Sequence, residues 1–173
     1  LFLEQGHTSG AMMHEGHRMI RFVPDHPVTG LTPDYANFDG TPHPTPMNPM
    51  EGNFSYDSWR TAMNWSVDWS WWRKNPGEQE LSNRLLTFFA RQGLHTYGSQ
   101  FTIDGKVLNN SVSKGLISTN AVISLAATHP LAGDFTKALW NLSVPESFGE
   151  RYYHGLLYLM SLMHCSANFV IWE

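Results

Sequence analysis

Residues 53–74, NFSYDSWRTAMNWSVDWSWWRK, set the tightest limit on what this chain can fold into. Five tryptophans (Trp59, Trp65, Trp69, Trp71 and Trp72) crowd into one helix-length segment with Asp57, Arg60, Asn64 and Asp68. At about 100° per residue, Arg60, Thr61, Asn64 and Asp68 fall on the face of Asp57. One polar line therefore runs along an otherwise apolar helix. A helix this apolar buries itself, and buried charge is costly unless it is paired or put to use.

The segments that follow also read as helices. Asn75-Pro76-Gly77 stops the tryptophan-rich helix of residues 55–74. Glu78–Gly93 carries an apolar stripe of Leu81, Leu85, Leu86, Phe88 and Phe89 and ends on Gly93. YGSQFTIDGKVL alternates around Asp104-Gly105 and predicts a β-hairpin. Gly115–Pro130 predicts a small-residue helix stopped by His129-Pro130, and Ala132–Val144 another. Glu150–Ser166, rich in Leu and Met, predicts a buried helix, and NFVIW (168–172) a closing strand. Five helices without βαβ alternation exclude a parallel α/β sheet and suggest stacked helical hairpins. Residues 1–54, punctuated by seven prolines, read as mostly irregular, with IRFVP (20–24) a short strand; 55–173 read as helical.

A net charge of −4, with neither a basic run nor an acidic tail, argues against nucleic acid or anionic lipid as partner. No window reaches the ~18 continuous apolar residues of a membrane span. The single cysteine, Cys165, excludes an internal disulfide framework and a cysteine zinc site, and leaves the compartment open. It reads as a small core residue. The 173 residues suffice for one domain. The chain begins LFLEQGHTSG, without Met or a charged leader, and reads as cut from something longer.

Two readings of the polar line remain open. In one, Asp57 caps the helix and Arg60 pairs with Asp68 in a buried network. In the other, Asp57 activates a water in an aromatic-lined cleft. As a first-turn residue it is favoured as a carboxylate by the helix dipole, and Arg60 one turn on adds to that. A group so held is a base or an anchor, not an acid.

FSYDSWRTAMNWSVDW, TPDYANFDGTP, QGLHTYGSQFTIDGKVL, GLISTNAVISLAATHP, ALWNLSVP and RYYHGLLYLMSLMHCSANFVIW occur here in one order. In that order they resemble the C-terminal half of glycoside hydrolase family 8, nearest to its reducing-end xylose-releasing exo-oligoxylanases and neighbouring xylanases. The resemblance runs from about Arg18 to the C-terminus. It implies an all-α fold, part of an (α/α)6 barrel (a toroid of helical hairpins) with a small β-hairpin. Residues 1–173 would then form a single domain, the C-terminal part of such an enzyme. It also implies inverting hydrolysis of β-1,4-xylosidic bonds in xylo-oligosaccharides or xylan, with no metal or other cofactor. The family's general base, the Asp of an F/Y-x-D-x-W-R motif, matches Asp57, and the motif's Arg matches Arg60. Tyr56, Trp59, Tyr152 and Tyr153 are the aromatic candidates for the sugar cleft.

The sequence also departs from that family. Its general acid is a Glu in a T-E-G-x-S-like stretch near the N-terminus, and no such stretch occurs here. Glu15, in HEGH between His14 and His17, does not match that context, and the spacing is not that of an HExxH zinc motif. Nor is the family's mid-chain sugar-holding Asp recognisable. RFVPD and HPVTGLTPDYA are fused at Asp25–His26, where the resembling enzymes carry a further helical stretch. No histidine lies between Lys106 and Gly115, so exo and endo action both stay open. Five or six helices cannot close a twelve-helix barrel, which would leave an apolar patch exposed. The chain is then a fragment, a subunit that assembles with itself or a complementary chain, or a remnant that binds sugar without cutting it.

Overall fold

A computed structural model describes residues 28–37 and 41–171. Among the described residues, a short 3-10 turn at Pro49–Gly52 precedes five α-helices: α1 Tyr56–Trp72, α2 Pro76–Gln92, α3 Lys114–Ile123, α4 Ala132–Trp140 and α5 Tyr153–Cys165. Between α2 and α3 lies one antiparallel pair, β1 Gln100–Phe101 and β2 Val107–Asn109. The HEGH stretch with His14, Glu15 and His17, the expected IRFVP strand and the Asp25–His26 junction lie outside the described residues.

The first three helices start where a side chain serves their free amides, whereas α4 and α5 begin without a side-chain cap. Asn75 does not end α1 as part of a stop signal; its side chain accepts the Gly77 amide at 3.1 Å, and Pro76 opens α2 two residues earlier than expected. α1 ends instead on Arg73, which takes a left-handed conformation with φ 49° and donates its amide to the Trp69 carbonyl. Ser113 caps α3 through the Leu116 amide at 3.3 Å. That helix is shorter than expected. From Ser124 on, the amides reach back three residues rather than four, to Ala121, Val122 and Ile123, and the chain turns before Pro130. α4 likewise ends at Trp140, short of Val144.

The helices form two layers. α3 packs against α1 and α5 on either side, while α2 backs α1 and α4 backs α3. α1, α3 and α5 run parallel. At their N-terminal ends the Tyr153 hydroxyl donates to the Tyr56 carbonyl at 2.7 Å. Toward their C-terminal ends Met63 and Val67 pack on Val122, with Cys165 beside them, and Trp71 stacks on Phe169 at 5.6 Å. Cys165 is thus half-buried against that cluster. Close approach at the N-terminal end depends on Gly115. A Cβ there would lie 3.1 Å from Leu157 Cδ1, 3.3 Å from Trp59 Cζ3 and 3.4 Å from His154 Cδ2.

The hairpin forms where Asp104-Gly105 places it, with Gly105 at φ +95°. It is tied to the entrance of α1 by two backbone bonds. Phe54 donates to the Phe101 carbonyl at 2.8 Å and accepts from the Phe101 amide at 3.1 Å. Behind this clasp Phe54, Phe88, Phe89, Tyr97 and Phe101 form the aromatic heart of the core, with ring centroids 4.8–6.4 Å apart.

Two expectations fail at the C-terminal end. α5 is not a buried helix: only Leu157, Ser161 and His164 are buried, while Leu156, Leu159 and Met160 are 48%, 54% and 41% exposed. Leucine and methionine content records how apolar a helix is, not how many neighbours cover it. Residues 168–171 form no strand, and Trp172 lies outside the described residues. Among the described residues no helix is long and apolar enough to cross a membrane.

A Cβ on Gly98 would overlap the backbone carbonyl of Asn109, where neither atom can yield without moving the hairpin. Gly98→Ala is expected to cost about 2 kcal/mol of stability, the scale of an overpacked site, measured by urea unfolding. Unchanged stability would show that the hairpin is not held in this register.

Candidate active site

Asp57 is the second residue of α1, at the end where the N-termini of three parallel helices meet. The positive ends of three helix dipoles thus lie together, a setting that favours an anion. The Asp57 carboxylate pairs with the Arg60 guanidinium one turn on, and the two side chains are 41% and 44% exposed. Asp57 therefore does not cap α1. Nor does Arg60 turn to Asp68: it pairs with Asp57, while Asp68 meets Glu78 of α2. The line of Asp57, Arg60, Asn64 and Asp68 is the half-exposed to exposed side of α1.

The cap is supplied by Asp34, which the sequence reading passed over. Asp34 Oδ1 accepts the amides of Asp57 and, at 3.2 Å, Ser58; its Oδ2 accepts the Ser55 hydroxyl at 2.8 Å. TPDYANFDGTP contains it, but nothing in the local pattern ties it to a helix more than 20 residues on.

Four aromatic groups gather beside Asp57. Tyr56, 48% exposed, meets Trp59 at 5.1 Å and Tyr153 edge-on at 6.1 Å. The Arg60 guanidinium lies 5.9 Å from the Tyr153 ring centre. Burial, partly offset by Arg60, pushes the Tyr153 hydroxyl up to about 12, so it stays a hydrogen-bond donor to the Tyr56 carbonyl at neutral pH. His154 completes the group, 6.1 Å from Trp59, and burial holds its imidazole below the usual range. Trp59 is only 1% exposed: it is the floor on which Tyr56, Tyr153 and His154 rest, not a surface that a ligand can stack on. Tyr152 stands outside this group at 76% exposure.

Further down the same face of α1, Asn64, Asp68, Trp71, Met160, His164 and Phe169 line a cleft of about 320 Å³ between α1 and α5. Glu78 supports it from behind. Burial first, then the Asp68 carboxylate, pushes the Glu78 carboxyl up to about 8, so at neutral pH it keeps a proton and shares it with Asp68.

Parallel inner helices backed by a second layer, with a charged pair at their shared N-terminal end, define a segment of a helical-hairpin toroid. Comparison with known proteins specifies which one. The chain is 37% identical over 171 residues to the reducing-end xylose-releasing exo-oligoxylanase Rex8A of Paenibacillus barcinonensis, covering 98% of this chain and 44% of that protein. It is 37% identical over 150 residues to a reducing end xylose-releasing exo-oligoxylanase of Halalkalibacterium halodurans, covering 85% of this chain and 37% of that protein. A GH8 xylobiose complex from Teredinibacter turnerae superposes with a TM-score of 0.80 at 44% identity, over 85% of this chain and 37% of that one. No family model matches the chain. The chain is thus a relative of the glycoside hydrolase family 8 enzymes, as its motifs imply, and its helices correspond to part of their (α/α)6 barrel. It spans less than half the length of these relatives.

The Glu78 proton has a measurable consequence. The folded chain holds a proton that the unfolded chain gives up in the ordinary glutamate range near 4.5. Stability should be greatest below that range and fall as pH rises toward about 8. Glu78→Gln, which keeps a hydrogen-bond donor toward Asp68, should remove this fall and make the variant the more stable protein at pH 8. Thermal unfolding of both proteins from pH 5 to 8 is the check; parallel curves would refute the shared proton.

Proposed function

We propose that this chain is the base-bearing part of an inverting glycoside hydrolase acting on β-1,4-xylosidic bonds of xylo-oligosaccharides or xylan. The observation that carries this reading is the position of Asp57: half-exposed, paired with Arg60, and set where three helix N-termini converge. An inverting hydrolase needs a carboxylate that draws a proton from water on one face of the sugar. It also needs a carboxylic acid roughly 6.5–9.5 Å away on the other. Asp57 is the base, Arg60 pairs with it and aims it, and exposed Tyr56 with half-buried Tyr153 at its side offers the sugar a stacking surface; Tyr152 is a further exposed ring beyond them. The relatives named for xylose release support the choice of xylan-type substrates over other sugars.

The general acid is not recognisable among these residues; it comes from the remainder of a longer chain (this sequence spans less than half the length of its relatives) or from a complementary chain. The exposed apolar stripe of Leu156, Leu159 and Met160 supports such an assembly. A second reading is a module that binds xylo-oligosaccharide without cutting it, with the exposed Tyr56 and Tyr152 rings as its sugar contacts.

Digestion of xylotriose, with product anomers followed by proton NMR, separates the two. Release of α-xylose or α-xylobiose, reduced about 10²–10⁴-fold in Asp57→Asn as expected for loss of a general base, establishes the hydrolase. Binding without turnover, weakened in the same variant, establishes the module. Neither turnover nor binding removes both.

A further inference from the structure

We propose that Asp34 is a positioning residue for Asp57, a role that rests on the reading of Asp57 as the base. The side chain of Asp34 spends both oxygens on the start of α1. Oδ1 accepts the consecutive amides of Asp57 and Ser58, and Oδ2 accepts the Ser55 hydroxyl at 2.8 Å. Its backbone is fastened to the segment leading into that helix. The Asp34 amide donates to the Asn53 carbonyl at 2.8 Å, and the next amide, of Tyr35, to the Glu51 carbonyl at 2.9 Å. Asp34 is thus fixed at both ends, main chain to residues 51–53 and side chain to residues 55–58.

Two consequences follow for Asp57. The first is geometric. An acidic residue in a first turn normally folds back onto the free amides. Here those amides are occupied, so the Asp57 carboxylate is released from capping. The second is electrostatic. A carboxylate already seated on the Asp57 amide repels a second one at short range. The only direction that lowers the energy of the Asp57 head group is away from Asp34, toward Arg60, where it is found. Asp34 thereby aims the base without touching substrate or water. Misplacement of a reacting group by about 1 Å can cost on the order of 100-fold in rate, so the aim matters more than the stability of one cap.

The experiment compares Asp34→Ala with Asp34→Asn, which retains an oxygen acceptor for the two amides. Asn75→Ala, which removes the cap of α2, controls for a loss of helix stability alone. Hydrogen exchange should be about tenfold faster at the Asp57 and Ser58 amides in Asp34→Ala and near wild type in Asp34→Asn. The xylotriose response (turnover, or affinity if the chain binds without cutting) should fall about tenfold or more in Asp34→Ala, recover in Asp34→Asn, and stay unchanged in Asn75→Ala. First-turn exchange that does not change in Asp34→Ala overturns the proposal. So does faster exchange with an unaltered xylotriose response, which would make Asp34 a cap and nothing more. If the wild-type chain has no xylotriose response, the reading of Asp57 as base fails, and the Arg60 Nε–H NMR signal decides the positioning role by itself. A shift in Asp34→Ala that follows the one in Asp57→Asn supports it; a signal that stays at its wild-type position in Asp34→Ala overturns it.

Discussion

A single missing methyl group lets the inner layer assemble. With hydrogen in place of a Cβ, Gly115 admits Trp59 from one side and Leu157 and His154 from the other. α3 can then lie in the trough between α1 and α5, with nine of its ten residues buried. That helix has no polar face to give to solvent, which is why its sequence is a run of small and branched residues rather than an amphipathic repeat. Helix–helix distances depend on the side chains at the contact. A larger residue at this crossing would drive apart the three N-termini, and with them the groups around Asp57.

The same crossing sets the electrostatics. Three parallel helices present their positive ends to one place, and the chain meets that field with two carboxylates in different roles. Asp34 is consumed by the start of α1, which engages both of its carboxylate oxygens. Asp57 keeps its oxygens for side chains and remains half-exposed. The division is enforced by position, since only Asp34 approaches the free amides from outside the helix. Beneath them lies Trp59, whose bulk is spent on holding Tyr56 and Tyr153 rather than on contact with solvent.

The helices and the hairpin were legible because their signals are local: a 3.6-residue period, Asp104-Gly105 between alternating residues, Gly93 after an apolar stripe. Errors arose where one local signal has two meanings or where meaning depends on distant residues. Asn75-Pro76-Gly77 both follows one helix and opens another, and the Asn75 cap decides in favour of the second. α5 reads as core from its leucines, yet three of its large apolar residues face outward because no described helix lies over them. Asp57 and Arg60 were found through helical spacing, which brings them together whatever the rest of the chain does. Asp34 could not be found that way, because its partners lie 21 to 24 residues along the chain. Among the aromatic residues, periodicity places Tyr56 and Trp59 near one another but does not say which is the floor and which the surface.

The clasp between Phe54 and Phe101 is made by main-chain atoms alone. Such a link is indifferent to the identity of the residues it joins, provided both can be extended. Drift at the hairpin tip and on its outer face can therefore accumulate over generations while the entrance to α1 stays where it is. A lineage of such proteins could vary the rim of its cleft, one loop at a time, without re-solving the placement of the carboxylate beside it.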